Sequence, residues 1–347
     1  MNDKYILQYG SLAGWPYKIA NGLRQKGINS KNIILHDRDV HDLSRSLPYD
    51  EALTEFNGSK IEKIKAIIDF IHRASQECSL IHYHSSNIFF REFHWLYEGP
   101  KFAKNQIPML ISFGGGDARF LKTANEKNKY FYKEPNSLRD FVISARYFSW
   151  SKNIKYAATD PEMADYAMPY FDKVFPFRQP VDLTEVICDV PSKENNCPIL
   201  LHIPTEPHFK GTEEIVSAVK QLKDEGLNFK FNLKRQLTQQ EFYQEIQACD
   251  IYIDELKCGS HGVTAVETMA SGKPTVTYIR EDLVDKFPQG FPLVNANPDT
   301  IYDVLKELIL SPAKRNEIGI ASREYVEKYH DLSVVCDDLI GIYDEIS

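Results

Sequence analysis

Short apolar runs alternate with longer amphipathic stretches along the first half of the chain: KYILQYG, WPYKIANGLRQKG, NIILHD, KIEKIKAIIDFIHRAS and SLIHYHS. The short β-branched or aromatic runs, bounded by Gly, Asn or Ser, read as strands, and the amphipathic stretches between them as crossover helices. That alternation predicts βαβ units and a parallel sheet. It continues through PMLISFG, a strand ending in Gly114-Gly115-Gly116-Asp117, and through NIKYAATDPEMADYA, a strand whose turn opens a helix.

From about Val174 to Cys197 the pattern gives way to FPFRQPVDLTEVICDVPSKENNCP, whose prolines and acids suit a linker. A second βα series follows: strand PILLHIP, helix TEEIVSAVKQLKDEG closed by Gly226, strand FKFNLK, helix TQQEFYQEIQA, strand CDIYIDEL, helix GVTAVETMASG and strand KPTVTYI. Two more helices are predicted after it, SPAKRNEIGIASREYVEKYH and DLSVVCDDLIGIYDEIS. The expected organisation is an N-terminal Rossmann-like domain over 1–176, a linker over 177–196, a C-terminal Rossmann-like domain over 197–330 and a final helix over 331–347. At 347 residues and 43% hydrophobic content the chain can bury two cores, and two domains imply a cleft.

Composition narrows the function. A formal net charge of -8 argues against nucleic-acid binding, which needs a basic face. No run approaches the roughly 18 apolar residues of a membrane span, and MNDKYILQYG lacks the basic, apolar and small-residue succession of a signal peptide, so a cytoplasmic location is expected. The six cysteines are scattered with no CxxC pair, which reads as buried free thiols. Charge is uneven, however. Between Arg119 and Lys155 nine Lys or Arg stand against three acids and interleave with aromatic residues. Such a stretch could rest at the inner face of an anionic membrane as a peripheral contact, or be a solvated helical face over an aromatic core.

In open parallel sheets, ligands collect at the carboxyl ends of strands, where helix N-termini attract phosphate. Two corners of the second half have that form. One runs His202-Ile203-Pro204-Thr205 to Lys210-Gly211-Thr212: Gly211 allows close backbone approach, Thr212 suits an N-cap, and Lys210 offers an ammonium to a diphosphate or to solvent. The other runs from Asp254 through the glycine-punctuated loop Lys257-Cys258-Gly259-Ser260-His261-Gly262 into a helix carrying Glu267. Helical spacing sets Glu267 beside Val263 and Ala270, on the packed side, where its carboxylate needs a partner. Ribose hydroxyls satisfy that need, and so does an ion pair with Lys273 or another nearby cation.

In the first half, His82 and His84 share one face of a strand. They are either two metal ligands without a placed third or a packed or cleft-lining pair. No GxGxxG follows the opening strand, which sets aside a nicotinamide dehydrogenase.

The segment Gly262-Val263-Thr264-Ala265-Val266-Glu267-Thr268-Met269-Ala270-Ser271-Gly272-Lys273-Pro274, following the acidic-ended strand Cys249 to Asp254, resembles the donor-site signature of family 4 glycosyltransferases, with its Glu-Ala-Met-Ala-x-Gly-x-Pro. His202-x-Pro204-Thr205 with Lys210-Gly211-Thr212 is similar to that family's phosphate corner, and Arg323 to Asp331 to its tail. The resemblance implies an α/β fold of the GT-B type: two Rossmann-like parallel-sheet domains facing across a cleft, with the C-terminal helix crossing back to the N-terminal domain.

It further implies a transferase that moves a sugar from a UDP- or GDP-linked donor to a glycan, lipid-linked or small-molecule acceptor, with retention and without a metal or other required cofactor. Surface polysaccharide or glycoconjugate synthesis is the implied setting. Glu267 would bind the donor ribose and Lys210 the diphosphate, beside Gly211. Backbone amides of Gly262, Val263 and Thr264 would face the phosphates or the sugar. Gly10 and Gly14 occupy the place of a flexible first loop, Gly116-Asp117-Ala118-Arg119 resembles a cleft-facing element, and Asp117 or His84 would steer or deprotonate the acceptor.

Three positions depart from the family pattern. Gly259 stands where a second Glu often pairs with the ribose Glu, Gly114 stands where a His often precedes the N-terminal Asp by three, and no Arg accompanies Lys210, which leaves Lys234, Arg235 or Lys257 as substitutes. A non-catalytic GT-B protein that stabilises or guides a partner glycosyltransferase fits the same departures. A nucleotide-sugar epimerase would need acid–base groups that the sequence does not mark.

Overall fold

The structure, a computed structural model, describes residues 4–36, 47–85, 88–116 and 118–347. The chain divides into two compact units: Met1–Lys122, Asn136–Pro180 and Leu332–Ser347 form the first, and Thr123–Pro135 with Val181–Asp331 the second.

Seven strands build the first unit's sheet: β1 (Tyr5–Tyr9), β2 (Ser30–His36), β3 (Glu51–Thr54), β4 (Cys78–His84), β5 (Met109–Ser112), β6 (Tyr156–Thr159) and β7 (Lys173–Pro176). They pair in the order β3-β2-β1-β4-β5-β6-β7, every pair parallel. The crossovers carry α1 (Trp15–Gln25), α2 (Lys60–Glu77), α3 (Glu98–Lys104), α4 (Leu121–Lys127), α5 (Ser137–Ser151) and α6 (Pro161–Ala167). The start of α2 is written locally: Ser59 Oγ accepts the Glu62 N–H, and the Glu62 carboxylate accepts the Ser59 N–H at 2.7 Å, a reciprocal capping box. Leu7, Ile81, Ile111 and Ala157 are fully buried in the core that the helices cover.

The second unit's sheet comprises β8 (Ile199–His202), β9 (Lys230–Leu233), β10 (Ile251–Ile253), β11 (Thr275–Thr277) and β12 (Val294–Asn295), in the order β12-β11-β10-β8-β9 and again all parallel. Its helices are α7 (Pro207–Lys210), α8 (Thr212–Asp224), α9 (Gln239–Ala248), α10 (Val263–Ala270), α11 (Glu281–Val284), α12 (Ile301–Leu310) and α13 (Pro312–Tyr329). The last helix, α14 (Leu332–Ile346), belongs to the first unit and packs along α1. Two parallel doubly wound sheets and a returning final helix make the α/β architecture expected from the sequence.

The basic aromatic stretch from Arg119 to Lys155 is not one surface. Thr123–Pro135 is part of the second unit, where Asn128 Nδ2 donates to the carbonyls of Lys257 and Cys258 at 3.0 Å and Tyr132 packs edge-on to Phe209. The remainder, chiefly α5, stays with the first unit. All six cysteines are free; four are buried as expected, whereas Cys188 is exposed and Cys197 half-buried. Burial pushes the Cys78 and Cys249 thiols up to about 12, which keeps them protonated. Among the described residues no helix is long and apolar enough to cross a membrane.

Candidate functional site

In the second sheet, β8 is followed outward by β9 on one side, and the chain then crosses to β10 on the other. The strand order reverses between β8 and β10, the place where a parallel sheet opens a crevice at its carboxyl edge. The two corners singled out in the sequence are the loops leaving these strands.

Gly211 has φ +74 and caps α8, and a Cβ there would stand 2.9 Å from Leu256 Cβ, so only glycine lets the two loops touch. The contact is fastened by the Leu256 N–H, which donates to the Lys210 carbonyl at 3.2 Å. Thr212 is not the cap the sequence suggested. It is the first residue of α8, and its hydroxyl meets His202 Nε2 at 2.9 Å while His202 Nδ1 meets the Ile253 carbonyl at 2.8 Å. Burial drops the His202 pKa to about 4, so the ring is neutral and ties β8 to both α8 and β10.

Lys210 is buried, and its ammonium lies 2.7 Å from Asp254 Oδ1 and 3.0 Å from Glu255 Oε2. Burial pulls its pKa down, and the carboxylates of Asp254 and Glu255 more than offset that, so it ends well above the usual lysine value. The sequence marked Lys210 for a diphosphate; in the structure it is the counter-ion of the loop after β10. Two of its three N–H groups are committed among the described residues. Lys257, one candidate substitute, pairs with Glu214 at 2.7 Å, and Lys234 pairs with Glu245 at 3.2 Å. Arg235 is exposed.

Asp254 spends only one oxygen on Lys210. Its Oδ2 is buried without a hydrogen-bond partner, 3.9 Å from where a Cβ on Gly262 would be, and Ser260 Oγ is likewise buried and unpartnered. Gly262 caps α10 with extended backbone and has no side chain to bond the first turn, no side-chain bond to that turn being found among the described residues, while Gly262, Val263 and Thr264 are all partly exposed. Uncapped N–H groups at a helix start are anion donors. One turn further, the Glu267 carboxylate is buried, with the Tyr243 hydroxyl donating to its Oε1 at 3.3 Å. The alternative Lys273 pair is absent from the bonds Lys273 makes, which go to Asp189 Oδ2 and the Gln247 carbonyl. Burial, then the Glu267 charge, raises the Tyr243 phenol well above its ordinary pKa.

The departures from the family pattern are filled from elsewhere. Gly259 has φ +89, and a Cβ there would stand 2.6 Å from Arg280 Cγ and 3.0 Å from Asn128 Nδ2. Arg280 is itself buried and holds Asp282 through two bonds. At Gly114 a Cβ would meet Leu12 Cδ2 at 2.7 Å.

The first unit gives its marked residues structural surroundings. His84 is fully buried, its Nε2 2.8 Å from Gln8 Oε1, and burial lowers its pKa to about 3. His82 lies two residues earlier and meets Ser112 Oγ at 2.7 Å and the Tyr343 hydroxyl of α14 at 2.8 Å. In this internal network, completed by Gln8 Nε2 donating to Tyr343 at 3.0 Å, His84 Nε2 is occupied, while its Nδ1 is buried without a hydrogen-bond partner. Arg119 is buried in a bidentate pair with Glu162, both bonds 2.7 Å. Gly10 accepts the Asn32 amide at 2.8 Å and Gly14, φ +77, caps α1, so the first loop is a formed turn. Asp117 lies outside the described residues. Among the described residues no group of three or more His, Cys, Asp or Glu is placed to hold a metal ion.

Sequence reasoning missed Asp254 and Glu255 as partners of Lys210, Tyr243 as the partner of Glu267, and Asn128 and Arg280 around Gly259. Adjacency of the two acids at a strand end was the one available signal for the first.

No family model and no curated protein sequence matches the chain. Solved structures do. It aligns with sucrose-phosphate synthase from Thermosynechococcus elongatus over 99% of each chain at 13% identity and TM-score 0.66. It aligns with Anabaena HepE in complex with UDP and glucose over 98% and 99% of the two chains at 12% identity and TM-score 0.66. A glycosyltransferase from Rickettsia africae matches at 15% identity and TM-score 0.63, over 100% of this chain and 99% of that one. The chain has the GT-B fold of these glycosyltransferases.

Proposed function

We propose that the chain is a glycosyltransferase that takes a sugar from a nucleoside diphosphate donor, UDP- or GDP-linked, held in the second unit. The observation that carries this reading is the start of α10 at the strand-order reversal: an uncapped helix N-terminus beside two buried, unpartnered acceptors, Asp254 Oδ2 and Ser260 Oγ. A diphosphate suits the N–H groups of Gly262, Val263 and Thr264, and hydroxyl-bearing rings suit the orphaned oxygens. Glu267 receives the ribose hydroxyls in place of, or together with, Tyr243. Lys210, held in place by two carboxylates beside Gly211, turns its remaining N–H to the leaving diphosphate, an arrangement that stabilises charge where it develops.

Transfer proceeds with retention and needs no metal. The product is a hexosylated glycan, lipid-linked or small-molecule acceptor of polysaccharide or glycoconjugate synthesis, made in the cytoplasm with a peripheral membrane contact in the 119–155 region. Asp117 remains the candidate for the acceptor side.

A specific observation favours a second reading, a non-catalytic GT-B protein that supports another glycosyltransferase. Lys210, Asp254 and Glu255 together carry one net negative charge, and Arg280 packs where a further carboxylate would face a sugar. Thermal shift and sugar release across a panel of UDP- and GDP-sugars separate the two. A ligand at 100 times its dissociation constant adds about 2.7 kcal/mol. A selective shift with sugar release supports the transferase, a shift without release under any acceptor supports the partner protein, and no shift removes both.

A further inference from the structure

The α5 helix is apolar on two sides. Ile143, Tyr147 and Trp150 face the first unit's core, while Leu138, Phe141 and Phe148 face solvent, with Leu138 73% and Phe141 70% exposed. The outward residues fall at i, i+3 and i+10, with the half-buried Ala145 at i+7, which is one stripe along the helix. Beside its C-terminal half runs the 3-10 turn Arg91–Leu96. The turn is pinned there: Trp150 Nε1 donates to the Arg91 carbonyl at 3.0 Å, the Trp95 N–H to Ser149 Oγ at 3.4 Å, and Arg146 Nε to the Glu92 carboxylate at 2.6 Å. It adds Phe93, Trp95 and Leu96 to the exposed side, Phe93 at 63%. Folding explains none of these six exposures, and large apolar side chains exposed together on two adjoining elements mark a contact surface.

Its chemical surroundings select the partner. The turn and α5 with Lys152, residues 91–96 and 137–152, carry four Lys and Arg against two Asp and Glu, in a chain whose net charge is -8. Lys152 closes the stripe with its ammonium 4.3 Å from the centre of the Phe148 ring. Aromatic side chains with a Trp, rimmed by Lys and Arg, are the composition that settles into the headgroup layer of an anionic bilayer. A second copy of this chain would bring the same positive rim against itself.

We infer that the outward stripe of α5, with the 3-10 turn beside it, is the surface by which this chain rests on an anionic lipid bilayer. This places the membrane contact proposed above on 91–96 and 138–152 and takes 123–135 out of it. It rests on that contact existing.

Co-sedimentation of the full chain with vesicles of phosphatidylcholine, with and without phosphatidylserine, tests it against F141S/F148S and W95F. The paired Phe variant changes only exposed side chains, so its thermal midpoint and nucleotide-sugar shift serve as controls and stay unchanged. The expected result is binding to the phosphatidylserine vesicles, weakened by salt and at least tenfold weaker for F141S/F148S, with a blue shift of tryptophan emission that W95F abolishes. Equal vesicle binding by wild type and F141S/F148S overturns the assigned surface while leaving a membrane contact standing. No vesicle binding by the wild type overturns both, and a concentration-dependent dimer that F141S/F148S dissociates then identifies the stripe as a self-association face.

Discussion

Lys210 Nζ lies 2.7 Å from Asp254 Oδ1, in a pair that joins the helix after β8 to the loop after β10 at the strand-order reversal of the second sheet. With Glu255 as the second acceptor, the ammonium serves two buried carboxylates at that edge, so its removal takes a charge partner from each. Breaking a buried pair from one side costs about 3–5 kcal/mol. Lys210→Met is therefore expected to lower unfolding stability by roughly that amount in denaturant titration. A loss within about 0.5 kcal/mol, the range of ordinary surface changes, would place the cluster in solvent.

Gly259→Ala puts a Cβ into Arg280 and Asn128 at a backbone angle side chains rarely adopt. Overpacking and strain of this kind cost about 1–3 kcal/mol each. The expected result is a lower denaturant midpoint, and Gly259→Glu should fare worse and gain no activity. An active, fully stable Gly259→Glu would contradict the packing described for that loop.

Acid should destabilise the protein through its buried histidines. The ring of His84 is lowered to about 3, those of His202 and His261 to about 4, and that of His82 well below 6.5, each by burial. The unfolded chain then binds protons first as pH falls below 6.5, so this stabilisation is complete above that pH and is lost on the way down to about 4. Each histidine contributes up to about 1.4 kcal/mol per pH unit. Asp160, raised by burial to about 6, works in the opposite sense over part of the same range and reduces the slope. Urea midpoints measured from pH 7 to pH 4 are expected to fall steadily; a flat profile would mean that the rings are solvated.

Tyr343→Phe removes the hydroxyl that serves both His82 and Gln8. Stranding buried polar groups costs about 1–3 kcal/mol. That loss, read by equilibrium unfolding, should come without a change in nucleotide-sugar affinity, since the network lies inside the first unit's own sheet.

Much of this arrangement was legible in the residues. Strand and helix periods gave both parallel sheets, and the segments Lys210-Gly211 and Gly262 to Glu267 lie, as read, on the loops and helices that follow the two strands at the order reversal. What escaped was non-local. Nothing in the composition of Thr123–Pro135 says that Asn128 bonds the loop at Cys258 more than a hundred positions later. The bonds that enclose His84 likewise depend on Gln8 standing beside His82 in the β1–β4 register and on a tyrosine of the last helix. Thr212 looked like a cap because its hydroxyl type suits one, yet His202 took that hydroxyl, leaving Gly211 with the backbone role.

The most direct test of the central claim, that a nucleoside diphosphate sugar binds at the start of α10, is calorimetric titration of UDP- and GDP-sugars into the wild type and Glu267→Ala. The account predicts saturable one-site binding of at least one donor, weakened in the variant by about 1–3 kcal/mol, or roughly 5- to 150-fold. Equal affinity in the variant, or no binding of any donor to the wild type, would contradict it.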